Sequence, residues 1–309
     1  HSTSSAASDV YKRQIIMPGG KPTMFFCILM FGAHNKEIMY PNPGFPIYES
    51  LINYTGAKPV PIKLKEELNF SFKADEVLER INDQTSLIII NSPGNPTGGV
   101  IPRKEIEKLV IGLEAYPNVT ILSDEIYSRL LYGKQKHTSF LEFPSIRSRL
   151  IVLNGWSKTY AMTGWRLGYS VWPNRLLEYA NRLCVNNHSC VNTASQFAGL
   201  AALKGSQNVV DEMLLEFDKR RNFIVNALNK IPGISCKEPS GAFYVFPNIK
   251  NTGLSSQKAQ DNFLELSGVA TIAGNSFGKM GEGFIRFSYA NSLENIEEAM
   301  VRITKLLLK

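Results

Sequence analysis

Short apolar, β-branched runs alternate along the chain with segments whose apolar residues recur every three or four positions. The short runs predict six strands, because buried strands are rich in Val and Ile and about four to eight residues long. They are Glu37–Tyr40, Lys58–Pro61, Leu87–Asn91, Thr120–Ser123, Leu150–Leu153 and Leu167–Val171. The segments between them, such as Lys73–Ile81 and Arg103–Ala115, predict amphipathic helices. This alternation indicates the α/β class, with a mostly parallel sheet covered by helices.

The pattern changes after about Ser206. A long helical segment, Asn208–Lys230, is followed by short apolar runs and by a closing helix, Leu293–Leu308. We therefore expect a large domain of residues 15–207 and a smaller α+β domain of residues 208–309. The apolar stretch Met24–Ala33 is shorter than the roughly 20 residues of a membrane span, so it predicts a buried helix.

The first fourteen residues, HSTSSAASDVYKRQ, are small and polar, unlike the rest of the chain. They contain no apolar core of the kind that a signal peptide has. We expect residues 1–14 to be a non-native or disordered tail that takes no part in the fold.

The composition is that of an ordinary globular protein, with 44% hydrophobic and 20% charged residues and a formal net charge of +7. The basic residues are scattered over the predicted helices, which is not typical of a nucleic-acid-binding surface. The four cysteines have no metal-type spacing, and a disulfide framework is implausible in a chain this large, which favours reduced thiols and a cytoplasmic setting. No metal site is expected, and His34, His137 and His188 resemble ordinary surface or core histidines.

Polar segments follow several predicted strands at the point where each strand ends. Ser92–Gly98 (SPGNPTG) follows one strand, Ser123–Tyr127 (SDEIY) ends the next, and Ser157–Arg166 (SKTYAMTGWR) follows a third. Ligands of open α/β sheets bind beyond the carboxyl ends of the strands. We therefore expect these segments to form one site.

Lys158 and Arg166 carry the only charges of a largely apolar and aromatic stretch, Leu153–Tyr169. A lysine in an apolar setting can be kept neutral and nucleophilic, ready to form an imine with a carbonyl group. The planar fork of an arginine suits a phosphate or a carboxylate. Taken alone, the stretch is equally compatible with a surface loop whose two cations lie in solvent.

The order and spacing of these segments resemble the class I and II aminotransferases, the fold-type I family that depends on pyridoxal phosphate. The resemblance extends to Pro18–Pro22 (PGGKP), Pro43–Phe45 (PGF) and Phe284–Ala290 (FIRFSYA). It covers the chain from residue 15 to residue 309. It implies an enzyme that transfers an amino group from an L-amino acid to a 2-oxo acid, as a homodimer with the site near the subunit interface.

The resemblance also implies the roles of individual residues. Lys158 would hold the cofactor as a Schiff base and later move the proton of the substrate, while Arg166 would bind the cofactor phosphate. Asp124 would keep the pyridine nitrogen protonated, so that the ring can accept electrons. Asn95 and Tyr127 would form hydrogen bonds with the phenolate oxygen of the ring.

Further cofactor contacts are implied at the edges of the site. Gly19, Gly20 and Lys21 precede the apolar helix, where backbone N–H groups can face a phosphate. Ser157 would add its hydroxyl to the same phosphate, although helix capping is a competing interpretation. Phe45 would stack on the pyridine ring, with simple burial in the core as the alternative.

In the second domain, Arg286 lies on an apolar strand, where an unpaired arginine is costly. The resemblance implies that it binds the α-carboxylate of the substrate through two hydrogen bonds, with Asn95 also contacting the substrate. Gly241–Tyr244 would line the same cleft. The apolar helix and the aromatic residues around Phe45 and Tyr48 are expected to contribute to the subunit interface.

Two features depart from the family pattern. Its members normally begin well upstream of PGGKP, so the chain resembles an N-terminally truncated member. Ala273–Gly278 (AGNSFG) replaces the more usual PGxxFG. Two alternative functions stay open at this point. A lyase, decarboxylase or synthase of the same fold would keep the same cofactor residues, and some transcription regulators carry an aminotransferase-like effector domain.

Overall fold

The larger sheet contains seven strands in the computed structural model, which describes residues 11–308. In chain order these strands are β1 (Gln14–Met17), β2 (Glu37–Asn42), β3 (Lys58–Lys63), β4 (Thr85–Asn91), β5 (Thr120–Asp124), β6 (Leu150–Gly155) and β7 (Gly168–Val171). Their spatial order is β1-β7-β6-β5-β4-β2-β3. Each of the six predicted strands is therefore present, and the structure adds β1 at one edge.

The sheet is mostly parallel. Strands β2 to β6 run in one direction, whereas β7 pairs antiparallel with both β6 and β1. The central strands are buried on both faces, as expected where helices cover a parallel sheet. In β4, Leu87 and Ile89 belong to one hydrophobic cluster, and Ile88 and Ile90 belong to the other. The sequence-based prediction of a helix-covered parallel sheet is confirmed.

Seven α-helices follow β1 in this part of the described chain. They are α1 (Lys21–Phe31), α2 (Ile47–Tyr54), α3 (Ala74–Leu78), α4 (Arg103–Gly112), α5 (Trp156–Thr159), α6 (Asn174–His188) and α7 (Thr193–Lys204). The apolar stretch that begins at Met24 forms most of α1, and Phe26, Cys27 and Ile28 of this helix are buried. No helix within residues 11–308 is both long and apolar enough to cross a membrane.

The remaining part of the chain has a smaller α+β arrangement. Its elements are α8 (Asn208–Leu228), β8 (Tyr244–Val245), α9 (Ser256–Ser267), β9 (Ile272–Ala273), β10 (Ile285–Ser288) and α10 (Leu293–Leu307). The three strands form an antiparallel sheet in the order β8-β10-β9. Phe263, Ile285 and Met300 form a core with Leu228 of the long helix.

Two predicted boundaries differ from the structure. Gln14 pairs with Val171 in β1 and Arg13 is buried, so the tail predicted for residues 1–14 is wrong for these two residues, while residues 1–10 lie outside the described range. The helix predicted at residues 73–81 ends at Leu78, because the chain continues in tighter turns. There the backbone N–H of Arg80 donates to the oxygen of Val77 at 3.2 Å, and that of Ile81 donates to the oxygen of Leu78 at 3.1 Å.

Candidate active site

A cavity of about 250 Å³ lies where the strands of the larger sheet end. Asn95 reaches it from the turn after β4, Asp124 from the end of β5, and Lys158 from the helix after β6. Parallel strands place their carboxyl ends at one edge, so residues far apart in sequence meet there. Arg286 reaches the same cavity from β10 of the smaller sheet.

Nearly all of the residues singled out from the sequence line this cavity: Gly20, Lys21, Phe45, Asn95, Asp124, Tyr127, Ser157, Lys158, Arg166 and Arg286. Gly19 lies beside it. A Cβ atom at Gly19 would be 2.3 Å from Nη2 of Arg166, and its φ of +85° is disfavoured for other residues. Gly19 therefore gives the Arg166 side chain the room that it occupies.

The Lys158 amine lies beside two aromatic rings. Its Nζ is 5.3 Å from the centre of the Phe243 ring and 5.9 Å from that of Tyr127. Burial lowers the pKa of Lys158, and the positive charges of Arg166 and Arg286 lower it further. Because the neutral amine is the nucleophilic form, these surroundings favour covalent bond formation with a carbonyl group.

Asp124 is a buried carboxyl group with two hydrogen bonds. Its Oδ2 accepts one from the hydroxyl of Tyr48 at 2.6 Å, and its Oδ1 accepts one from the backbone N–H of Ile126 at 3.2 Å. Burial raises the pKa of Asp124 to about 6, although both hydrogen bonds oppose the rise. A carboxyl group that titrates in this range can hold or release a proton near neutral pH, as active-site acids do.

Tyr48 is the main correction to the sequence-based picture. We expected it at a subunit surface, but its side chain is fully buried and points at Asp124. It shares the buried side of α2 with Leu51 and Ile52. The spacing of these three positions is typical of the buried face of a helix. It does not identify Asp124, 76 residues away, as the hydrogen-bond partner of Tyr48.

Asn91 connects two segments of the site, although its sequence position did not predict a role there. Its Oδ1 accepts a hydrogen bond from the backbone N–H of Asn95 at 3.0 Å, and its Nδ2 donates to the backbone oxygen of Asp124 at 3.1 Å. The turn after β4 is thereby tied to the end of β5. The Asn95 side chain is then free to accept a hydrogen bond from Nη1 of Arg286 at 3.1 Å.

Two tyrosines meet on the cavity wall. The hydroxyl oxygens of Tyr127 and Tyr244 are 3.0 Å apart, and both residues line the cavity. Burial raises the pKa of Tyr127 and that of Tyr244, so both phenols keep their protons near neutral pH. One of the two hydroxyls donates its proton to the other, so the hydroxyl that accepts this hydrogen bond has its own proton left to donate to an oxygen in the cavity.

Arg286 has a donor without a partner. Its guanidinium lies 4.6 Å from the centre of the Tyr244 ring and 4.9 Å from that of Phe277, which belongs to the AGNSFG segment. Burial lowers the pKa of Arg286. Its Nε is buried and has no hydrogen-bond partner within the described part of the chain. Since a buried, unpaired donor is costly, the geometry favours a ligand carboxylate here.

A group of donors suited to a phosphate lines the same cavity. Helix α1 begins at Lys21, so its first backbone N–H groups have no partner within the helix. Arg166 donates to the backbone oxygen of Thr163 at 2.7 Å and to that of Pro18 at 3.4 Å, and its φ is +51°. A non-glycine residue in this conformation is strained, and such strain concentrates at functional sites.

Comparisons with known proteins agree with this geometry. Residues 2–303 match the family described as aminotransferase class I and II. The chain is 42% identical over 295 residues to an aspartate aminotransferase of Pyrococcus horikoshii, covering 95% of this chain and 75% of the relative. It is 36% identical to aromatic-amino-acid aminotransferase 2 of Thermococcus litoralis, covering 96% and 76% of the two chains.

Solved structures give the same result. The crystal structure of an aromatic aminotransferase from Pyrococcus horikoshii superposes with a TM-score of 0.91 at 36% identity, covering 96% of this chain and 79% of that one. The fold is that of the fold-type I enzymes. The chain belongs to the class I and II aminotransferases, which are dependent on pyridoxal phosphate.

Proposed function

We propose that this cavity binds pyridoxal phosphate covalently at Lys158 and transfers an amino group from an L-amino acid to a 2-oxo acid. The observation that carries the proposal is the composition of the cavity. It combines a lysine of lowered pKa with a buried carboxyl group, Asp124, and a partly buried arginine, Arg286, whose buried Nε has no hydrogen-bond partner among residues 11–308.

The residues present fit this cofactor. When bound, pyridoxal phosphate supplies a carbonyl carbon that bonds to amines and a ring that accepts electrons. Lys158 would hold the carbonyl carbon, and Asp124 would hold a proton at the ring nitrogen. Asn95 and Tyr127 would contact the phenolate oxygen, and Phe45 would cover a face of the ring.

The phosphate group has its own set of proposed ligands. These are the turn and helix start at Gly19, Gly20 and Lys21, together with the side chains of Ser157 and Arg166. Backbone N–H groups at a helix start and a guanidinium fork both favour a multiply charged anion. They would orient the cofactor by its phosphate and leave its carbonyl carbon near Lys158.

The substrate would be held by its α-carboxylate. Arg286 offers its unpaired Nε and its fork to that group, and Asn95, already bonded to the fork, would contact the substrate as well. The Lys158 amine, when it is not bonded to the cofactor, can accept the proton from the substrate Cα and later donate it at a different atom. Its lowered pKa favours the neutral amine, which is the form that accepts a proton.

Lyases and synthases of the same fold would use the same cofactor residues, so these residues do not separate the reactions. The comparisons favour amino-group transfer, because the family match spans residues 2–303 and the similar proteins are named aminotransferases. Neither the lyase alternative nor the regulatory alternative receives support from them.

The relatives suggest which donors to test. Aspartate and aromatic amino acids are the donors that their names indicate, so we propose one of these two classes. The protein, loaded with pyridoxal phosphate, is incubated with either donor and 2-oxoglutarate, and glutamate formation is measured. We expect glutamate with at least one donor and none with the Lys158→Ala variant. No glutamate from either class would contradict the proposal.

We also propose a homodimer. Helix α7 exposes Phe197, Leu200 and Leu203, with 70%, 46% and 55% of each residue accessible to solvent. An apolar patch of this kind marks an interaction surface. Light scattering of the cofactor-loaded protein should give twice the 34.5 kDa mass of the chain. A stable, loaded monomer would contradict this.

We also propose a division into domains and a cellular setting. Residues 15–207 and 208–309 would form separate domains, with Arg286 facing the cofactor residues from the second domain. Native-state hydrogen exchange should then show two cooperative units.

The proposed cellular setting is the cytoplasm, which is supported by four unpaired cysteines. A thiol reagent should detect four free thiols in denatured protein isolated without reductant.

A further inference from the structure

Glu125 is a buried carboxylate next to the cavity but outside it. It directly follows Asp124, yet it does not line the cavity, and only 5% of its side chain is exposed. Four donors bond to it: Ser123 Oγ at 2.9 Å, His137 Nε2 at 2.9 Å, Ser139 Oγ at 3.0 Å and the backbone N–H of Phe140 at 3.1 Å. None of the four donor residues lines the cavity.

The donors connect separate parts of the chain. Three of them come from residues 137–140, which lie before β6, and one comes from β5 itself. The backbone N–H of Glu125 also donates to the oxygen of Leu153 in β6 at 3.0 Å. A buried carboxylate is costly unless its oxygens are hydrogen-bonded, so this geometry strongly favours one orientation of Glu125.

We propose that Glu125 is a positioning residue for the cofactor site, acting through Asp124. Successive side chains of an extended segment point to opposite sides, so fixing Glu125 away from the cavity fixes Asp124 toward it. Within the described residues, the Asp124 side chain has two hydrogen bonds, and one of them comes from the same turn. This inference rests on the proposed function, since it gives Asp124 a role toward the cofactor.

The test compares Glu125→Ala and Glu125→Gln with a control, Glu142→Gln. Glu142 lies in the same loop, accepts a hydrogen bond from the backbone of Ser139 at 3.1 Å and pairs with Arg103, but it makes no hydrogen bond to Glu125. The dissociation constant of pyridoxal phosphate is measured by absorbance, and the unfolding midpoint is measured alongside.

We expect Glu125→Ala to weaken cofactor binding about tenfold, the loss expected when charged hydrogen bonds that orient a ligand group are removed. Glu125→Gln should weaken it less, because its amide oxygen still accepts hydrogen bonds. The control should stay within about twofold. A lower unfolding midpoint with cofactor affinity equal to that of the control would overturn the inference.

A double-mutant cycle with Asp124→Asn tests whether Glu125 changes cofactor affinity through Asp124. If Glu125 acts through Asp124, Glu125→Ala should change affinity little in the Asp124→Asn background. The same fold-loss in both backgrounds would refute that path. If Glu125→Ala does not fold, the cycle is measured with Glu125→Gln instead.

The wild-type protein separates this inference from the proposed function. Wild-type protein that takes up no pyridoxal phosphate would overturn both, whereas normal uptake with unaffected Glu125 variants would overturn only the inference.

Discussion

Replacing Tyr48 with Phe removes one hydroxyl group from the site and keeps the buried ring. That hydroxyl donates the 2.6 Å hydrogen bond to Oδ2 of Asp124, and both residues are buried. Burial already raises the pKa of Asp124 to about 6, and the hydrogen bond from Tyr48 is the larger of the two that oppose the rise. The substitution should therefore raise the pKa of Asp124 further.

The size of the effect follows from the hydrogen bond. A bond to a charged group contributes about 1.5–3 kcal/mol, and about 1.4 kcal/mol corresponds to one pH unit of pKa. We expect Tyr48→Phe to raise the pKa of Asp124 by about one to two pH units in the cofactor-free protein.

The direction of the pH dependence follows from the raised pKa. The folded protein holds the Asp124 proton more tightly than the unfolded chain does, where the pKa of an aspartate is about 3.9. This stabilisation is complete below about pH 4 and is lost as the pH rises through the folded pKa, which is about 6 in the wild type. In the Tyr48→Phe variant the loss should continue to about pH 7–8.

Urea unfolding of the cofactor-free protein at pH 4, 6 and 8 measures this difference. At pH 8 the variant should be less stable than the wild type by about 1.5–3 kcal/mol, and at pH 4 the two should be nearly equal. Introducing Asp124→Asn in both proteins should abolish the pH-dependent part of the difference. An equal loss at every pH, or a pH-dependent difference that persists in the Asp124→Asn background, would refute the reasoning.

The remaining predictions concern the two arginines and Gly19. Arg286→Lys should lower kcat/KM by the equivalent of about 2–4 kcal/mol and leave cofactor affinity unchanged, because the charge stays but the fork is lost; a released cofactor would contradict this. In the same two assays, Arg166→Lys should lower cofactor affinity and leave kcat/KM largely unchanged. Gly19→Ala should also weaken cofactor binding, since its Cβ would displace the Arg166 guanidinium, whereas Gly164→Ala, which meets open space, should not; equal affinities would refute the steric argument.

Much of the fold was predictable because the apolar runs of the central strands are continuous and unambiguous. Buried strands such as Leu87–Asn91 need apolar residues on both faces, and the polar residues that follow them fall at one edge of the sheet. Asn95, Asp124 and Lys158 could therefore be expected to meet before their contacts were known.

Other features depend on contacts that no local pattern encodes. Tyr48 lies on a short helix whose apolar spacing indicates burial but not the carboxyl group that it faces. The four donors to Glu125 come from strand and loop residues whose proximity depends on the path of the chain between β5 and β6. The pairing of Gln14 in β1 depends on the register of β7, which lies more than 150 residues away in sequence.

The central claim is that Lys158 is the residue that bonds to pyridoxal phosphate. The direct measurement is borohydride reduction of the cofactor-loaded protein, followed by proteolysis and mass spectrometry of the modified peptide. We predict one phosphopyridoxyl group per chain, on Lys158, because this amine lies in the cavity and has a lowered pKa. A label on Lys21, which lines the same cavity, or on the exposed Lys134 or Lys136, with Lys158 unmodified, would contradict the account.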